Sequence, residues 1–126
     1  MKVLTIREPF ATLIKDKVKI YETRSWKTNY RGEIYIHAAK ARSKASNVNI
    51  ASTYLKSREN PEHIICKCIL KDCIYMTEDF INEVKKRPEE YNSGRYEIGR
   101  FAWQLEVIEV LEKPIYAKGQ LGIWNF

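Results

Sequence analysis

Glycine-rich phosphate turns, paired cysteine clusters and long apolar runs are all missing from this chain of 126 residues. Without closely spaced glycines between a strand and a helix, a Rossmann-type dinucleotide unit is excluded. Cys66, Cys68 and Cys73 are odd in number and closely spaced, which makes a poor disulfide framework and lacks the two clusters of a zinc ribbon. The two histidines, His37 and His63, add too little for a closed metal site, so neither a metal nor another cofactor is expected. No apolar stretch approaches the ~20 residues that cross a bilayer. The start of the chain meets Lys2, Arg7 and Pro9 too early for a signal-peptide core. The expectation is a soluble, cytoplasmic protein with no membrane partner. With 44% apolar and 30% charged residues and no repeat or linker, it reads as one domain over residues 1–126.

What is present is positive charge, unevenly placed. The formal net charge is +6. Nine Lys or Arg between Lys15 and Lys44 stand against Asp16, Glu22 and Glu33, so this segment alone carries the whole excess. Trp26, Tyr30 and Tyr35 lie within it, and cations interleaved with aromatics are what a polyanion-binding surface requires. A merely solvated basic face is the alternative.

Hydrophobic periodicity outlines the elements. Val3 to Ile6 predicts a strand, and Phe10, Leu13 and Ile14 at helical spacing predict a short helix entered through Pro9. Val18 to Trp26 reads as a strand, Thr28 to Gly32 as a turn, and Glu33 to Ala38 as a second strand. Ile34 and Ile36 then face the core, while Glu33, Tyr35 and His37 share the opposite face and can border a groove. Ser43 to Ser57 is a helix candidate. Ile64 to Leu70 is a strand in which Cys66 and Cys68 share an apolar face with Ile64 and Leu70. Thr77 caps the clearest helix, which places Phe80, Ile81 and Val84 inward and Lys85, Lys86 and Arg87 at its end. Residues 88–99 form a long loop with the look of a flap. A long strand begins at Phe101, and Gly122 to Trp124 supplies a closing one, with Trp103 and Trp124 in the core. Strands interleaved with few helices favour an α+β fold, a small and mostly antiparallel β-barrel with peripheral helices.

The most informative stretch is Glu22-Thr-Arg-Ser-Trp-Lys-Thr-Asn-Tyr-Arg-Gly-Glu-Ile-Tyr-Ile-His37. On a regular strand Glu22, Arg24 and Trp26 fall in one row, which sets a carboxylate, a guanidinium fork and an indole side by side. Such a row can hold a phosphate or carbonyl, accept from a base amino group and stack on a base; an internal Glu22–Arg24 ion pair is the structural alternative. Lys19, three residues earlier, joins that row only through a bulge or a strand start. His37 is either a satisfied strand-end histidine or a titrating base.

That stretch, with Arg7-Glu-Pro-Phe10 and Lys19 before it and Lys118-Gly-Gln-Leu-Gly-Ile-Trp124 far downstream, resembles the ASCH family of PUA-like domains over nearly the whole chain. The resemblance implies a PUA-like barrel whose cleft binds RNA or a nucleotide-like ligand. Carried over by position, it implicates Lys19, Glu22, Arg24 and Arg7, with Trp26, Tyr30 and Arg31 on the turn; His37 and Lys40 complete the candidate binding set. Some members of the wider family hydrolyse acetylated cytidine through a Lys-x-x-Thr arrangement, and here Glu22 stands where that threonine would be. That position then lacks the hydroxyl nucleophile of the deacetylating members. Other members cleave single-stranded RNA, and a hydrolase acting on RNA or a modified nucleoside, with Lys19 and Glu22 catalytic, is an alternative, in which Glu22 or His37 serves as base and Lys19 or Arg24 as cation. A protein-interaction module with a basic face is a third.

Overall fold

The computed structural model describes residues 1–42 and 60–126, and the predicted helix from Ser43 to Ser57 lies outside them. Among the described residues, six strands and three short helices follow in order: β1 (Lys2–Glu8), α1 (Phe10–Lys15), β2 (Tyr21–Arg24), β3 (Gly32–Arg42), β4 (His63–Tyr75), α2 (Glu78–Lys85), α3 (Pro88–Asn92), β5 (Phe101–Tyr116) and β6 (Ile123–Asn125). They form one sheet in the order β2-β5-β4-β3-β1-β6, antiparallel throughout except for the parallel pair β1–β3. This is a mostly-sheet α+β arrangement. It is not closed into a barrel, because β2 and β6 are its two edges and do not pair. None of the described helices is long and apolar enough to cross a membrane.

The sheet curls around a core of Leu4, Ile6, Ile34, Ile36, Cys66, Cys68, Leu70, Trp103 and Leu105, against which α1 lays Ala11 and Ile14. Cys66 and Cys68 are fully buried here, as their alternation with Lys67 requires. Burial and the neighbouring Cys66 thiol hold the Cys68 thiol in its protonated form, with its pKa pushed up. Ile64 departs from the expected pattern. Register shifts between Ile64 and Cys66 in the β4–β5 ladder, and between Ile36 and His37 in the β3–β4 ladder, where Ile65 is the extra residue. The bulge turns Ile65 into the central core and sends Ile64 to the other face, into a second cluster with Val3, Ala117 and Trp124.

Helix α1 takes its N-terminal cap from an unforeseen residue. The buried Glu8 carboxylate accepts from Thr12 N at 2.8 Å and from Thr12 Oγ1 at 2.6 Å, which satisfies one of the helix's open donors. Helix α2 behaves as its sequence predicts, with Thr77 Oγ1 accepting from Phe80 N at 3.1 Å and Ile81 and Val84 buried.

Residues 88–99 are fastened down rather than arranged as a flap. Pro88 opens α3, and the buried Glu90 carboxylate accepts from Ile20 N at 2.7 Å, Tyr21 N at 3.4 Å and Tyr96 Oη at 3.1 Å. Lys19 completes this knot: its ammonium lies 3.8 Å from Glu90 Oε2 and donates to Ser93 O at 2.7 Å, and only 1% of its side chain is exposed. Gly94 lies close by, because a Cβ there would stand 3.2 Å from Lys19 Nζ and 2.8 Å from the Tyr96 ring. Burial lowers the Lys19 pKa from its ordinary 10.5 despite the opposing pull of Glu22 and Glu90.

Two outcomes follow. Glu90→Ala leaves a buried ammonium without its near counter-charge and two strand N–H groups unpaired, so urea denaturation should show a loss of about 3–5 kcal/mol. In the unfolded chain Lys19 regains a pKa of about 10.4, so above its folded pKa the unfolded state binds the extra proton and stability gains with rising pH. The unfolding free energy of the wild type relative to Lys19→Met should therefore increase as pH is raised from neutrality towards about 10.4, and a difference that falls over that range contradicts the assignment.

Candidate nucleic-acid interface

Strand β6 accompanies β1 only from Lys2 to Leu4, where they pair with Asn125 to Ile123. Beyond Leu4, this edge of β1 pairs with none of the described strands. A cleft of about 510 Å³ opens there, lined by Thr5, Ile6 and Arg7 of β1, Phe10 of α1, Glu22 and Arg24 of β2, Ala39 to Ala41 of β3, Glu62, and the loop Lys118 to Gly122. Its size is that of an ordinary small-ligand site. It lies where the unpaired sheet edges come together, so the open seam and the cleft are one feature.

Arg24 spans the seam. Its Nε and Nη2 donate to Glu22 Oε2 at 3.0 and 2.8 Å, and Nη2 also donates to the Thr5 carbonyl at 3.0 Å. One fork thus ties β2 to the exposed edge of β1. Glu22 Oε1 and Arg24 Nη1 enter no hydrogen bond with the described residues. Four cations, Arg7, Arg24, Lys40 and Lys118, and two carboxylates, Glu22 and Glu62, line the cleft, a net of two positive charges.

Arg7, Glu22, Arg24 and Lys40 of the candidate set are gathered here, and the other five are placed elsewhere. Lys19 sits behind the Phe10 ring, 5.7 Å from its centroid, inside the Glu90 knot. Trp26 lies past the end of β2, where the backbone bends, so it leaves the row of Glu22 and Arg24 and packs edge-on against Trp103 with centroids 4.7 Å apart. The Tyr30 hydroxyl donates to Glu33 O, and Arg31 is taken up by the carbonyls of Thr28 and Tyr30 and by Asp72 at 3.5 Å. His37 keeps the strand face expected of it, but that face is roofed at its end. Trp124 packs on the ring at 5.6 Å, Nε2 donates to Ala117 O, and the side chain is fully buried.

The described cations of the Lys15–Lys44 segment do not form one patch either. Lys19 is buried, Lys15 and Arg31 are paired with acids, and the cleft draws Arg7 and Lys118 from outside the segment. Thr23 does not line the cleft. It points to the 94–95 turn, where its Oγ1 accepts from Arg95 N at 3.1 Å and its methyl approaches Gly94.

Sequence reasoning missed Thr5, Phe10, Glu62 and the loop after Ala117. Signals existed for Phe10, in the Arg7-Glu-Pro-Phe10 motif, and for the loop, in the two glycines of Lys118-Gly-Gln-Leu-Gly122. Gly119 passes so close to His37 and Thr5 that a Cβ would meet them at 3.1 and 3.2 Å, and Gly122 has φ of +64°.

The family model of the ASCH domain matches residues 4–115, most of the chain and all of this architecture up to the loop. The chain belongs to the ASCH domain family. None of the curated proteins compared with it matches.

If the Arg24 fork holds the seam, Arg24→Lys should not replace it, since an ammonium cannot bond Glu22 and Thr5 in that planar geometry. Chemical denaturation should show a loss of about 1–2 kcal/mol. An unchanged unfolding free energy means that β2 is held by its pairing with β5 alone.

Proposed function

We propose that this ASCH domain binds single-stranded RNA, or a nucleotide-like part of it, in the cleft between β1, β2 and the loop Lys118 to Gly122. The observation that carries this reading is the convergence of four cations on a cleft whose Glu22–Arg24 pair keeps one carboxylate oxygen and one guanidinium nitrogen uncommitted. Membership of a PUA-like family associated with RNA binding supports it.

The chemistry divides between rim and floor. Arg7, Lys40 and Lys118 meet phosphate by charge, which gives affinity without sequence preference. Arg24 Nη1 donates and Glu22 Oε1 accepts, a combination suited to the mixed donor and acceptor edge of an unpaired base. Phe10 adds an apolar contact beside them. The base edge is open to such contacts only when the base is unpaired, hence the preference for single strands.

The test is a salt titration of binding to a labelled single-stranded RNA, followed by fluorescence anisotropy. Replacing Arg7, Lys40 and Lys118 by Ala should weaken binding and flatten the slope of log K against log salt by about 0.7 per lost phosphate contact, roughly two units in all. Lys27 and Arg31 lie outside the cleft, so the double Ala variant should keep the wild-type slope. Equal slopes in the wild type and the triple variant rule out the cleft as the phosphate site. Glu22→Gln, which removes charge with little change of shape, should leave the melting temperature within a few degrees, on the order of 1 kcal/mol, while reducing affinity.

A further inference from the structure

Leu121 is 98% exposed and stands on the rim of the cleft. Isolated apolar residues on a surface are ordinary. This one is held out by a built support. The loop leaves the sheet at Ala117, whose N–H donates to Glu62 O at 3.0 Å and whose carbonyl accepts from the buried His37. At Gly119 it passes so near His37 and Thr5 that a Cβ would crowd them, and it re-enters the sheet at Ile123, beside Trp124, whose indole N–H donates to Thr5 Oγ1 at 2.9 Å. Both ends are thus fixed to the strands that wall the cleft. Between them Leu121 touches none of the core clusters, and even the glycine after it has no atom within 4 Å of where a Cβ would be.

Resting on the nucleic-acid reading above, we infer that Leu121 is an apolar wedge that packs on the base next to the one held in the cleft and takes the place of its stacking neighbour. A strand that turns one base into the cleft breaks its stack at that step, and an apolar side chain inserted there covers the exposed base face. Trp26, the residue the sequence offers for stacking, packs edge-on against Trp103 and does not line the cleft. Leu121 carries no charge, so its contribution is separate from that of the phosphate contacts. The ligand class is single-stranded RNA whose unpaired bases can leave their stack, and a continuous duplex is disfavoured.

The probe is an eight-nucleotide single-stranded RNA with 2-aminopurine at one position in each of a set, with the corresponding duplex beside it. Wild type should bind the single strand more tightly than the duplex and brighten the fluorophore at one position as its stack breaks. Leu121→Ser should weaken binding about tenfold, abolish the brightening, and leave both the salt slope and the melting temperature unchanged. Leu121→Met, which keeps the apolar reach, should bind as wild type does. Wild-type binding that Leu121→Ser does not weaken overturns the wedge alone. Loss of self-association in Leu121→Ser at unchanged RNA affinity also overturns it and assigns Leu121 to a protein contact. A wild-type chain with no salt-dependent RNA binding overturns the nucleic-acid reading and the wedge together.

Discussion

The seam between β1 and β2 depends on one guanidinium. A six-stranded sheet that curls without closing leaves two edges, and an edge is a row of unpaired N–H and C=O groups that must be covered or bridged. Arg24 does this with a single fork, joining the Glu22 carboxylate on β2 to the Thr5 carbonyl on β1. Hydrogen bonds to charged groups contribute about 1.5–3 kcal/mol, a large share of the stability of a small domain. Ladder pairing would have sealed the seam. A side-chain bridge holds the edges at a fixed distance and leaves the space between them for a ligand.

The bridge works only because β2 itself is held from behind. Four residues paired with β5 on one edge are a weak platform, and Tyr21, packed against Phe80 and the cluster around Met76, gives them less apolar anchoring than the central core gives β3 and β4. The rest of the anchoring is polar. Glu90 binds the N–H groups of Ile20 and Tyr21 at the start of the strand, with Lys19 and Tyr96 around the same carboxylate. Such a knot costs desolvation of an ammonium, seen in the lowered pKa of Lys19, and gains direction in return, since a carboxylate fixes two specific backbone donors where apolar packing would tolerate sliding. Lys19, Glu22 and Arg24 therefore belong to one design, with the first behind the strand and the other two in front.

Much of this was legible in the residues. Alternation placed Ile34, Ile36, Cys66, Cys68 and Trp103 in the core, and Thr77 marked its helix, because those signals are local and the tertiary structure agrees with them. The ASCH pattern led to Glu22 and Arg24. Three things were hidden, each for a physical reason. The extra residue at Ile65 is a matter of ladder register, and nothing in the β-branched run Ile64-Ile65 says which of the two turns inward. His37 lies on the expected face, but its roof comes from Ala117 and Trp124, eighty or more positions away. Glu90 looked like one of several loop carboxylates, because its partners are backbone donors and backbone donors leave no trace in sequence.

The two carboxylates in a cleft of net positive charge decide how a ligand would lie. A phosphate at the floor would face Glu22 directly, and like charges that close are unfavourable by several times the gain of a screened cation at the rim. On the reading proposed above, phosphates would therefore lie outward at Arg7, Lys40 and Lys118, and a neutral base, whose amino group is attracted by a carboxylate, would occupy the floor. The same argument explains why Glu22 is already half-engaged. With one oxygen bound twice by Arg24, its charge is balanced in the empty cleft, and its other oxygen is held in a single direction for an incoming N–H. An uncompensated carboxylate would repel the strand at long range, and an absent one would leave nothing to distinguish a base from any other flat group. The Glu22–Arg24 pair thus bridges the open edges of the sheet and, on the reading proposed above, is also the part of the cleft that would tell one ligand from another.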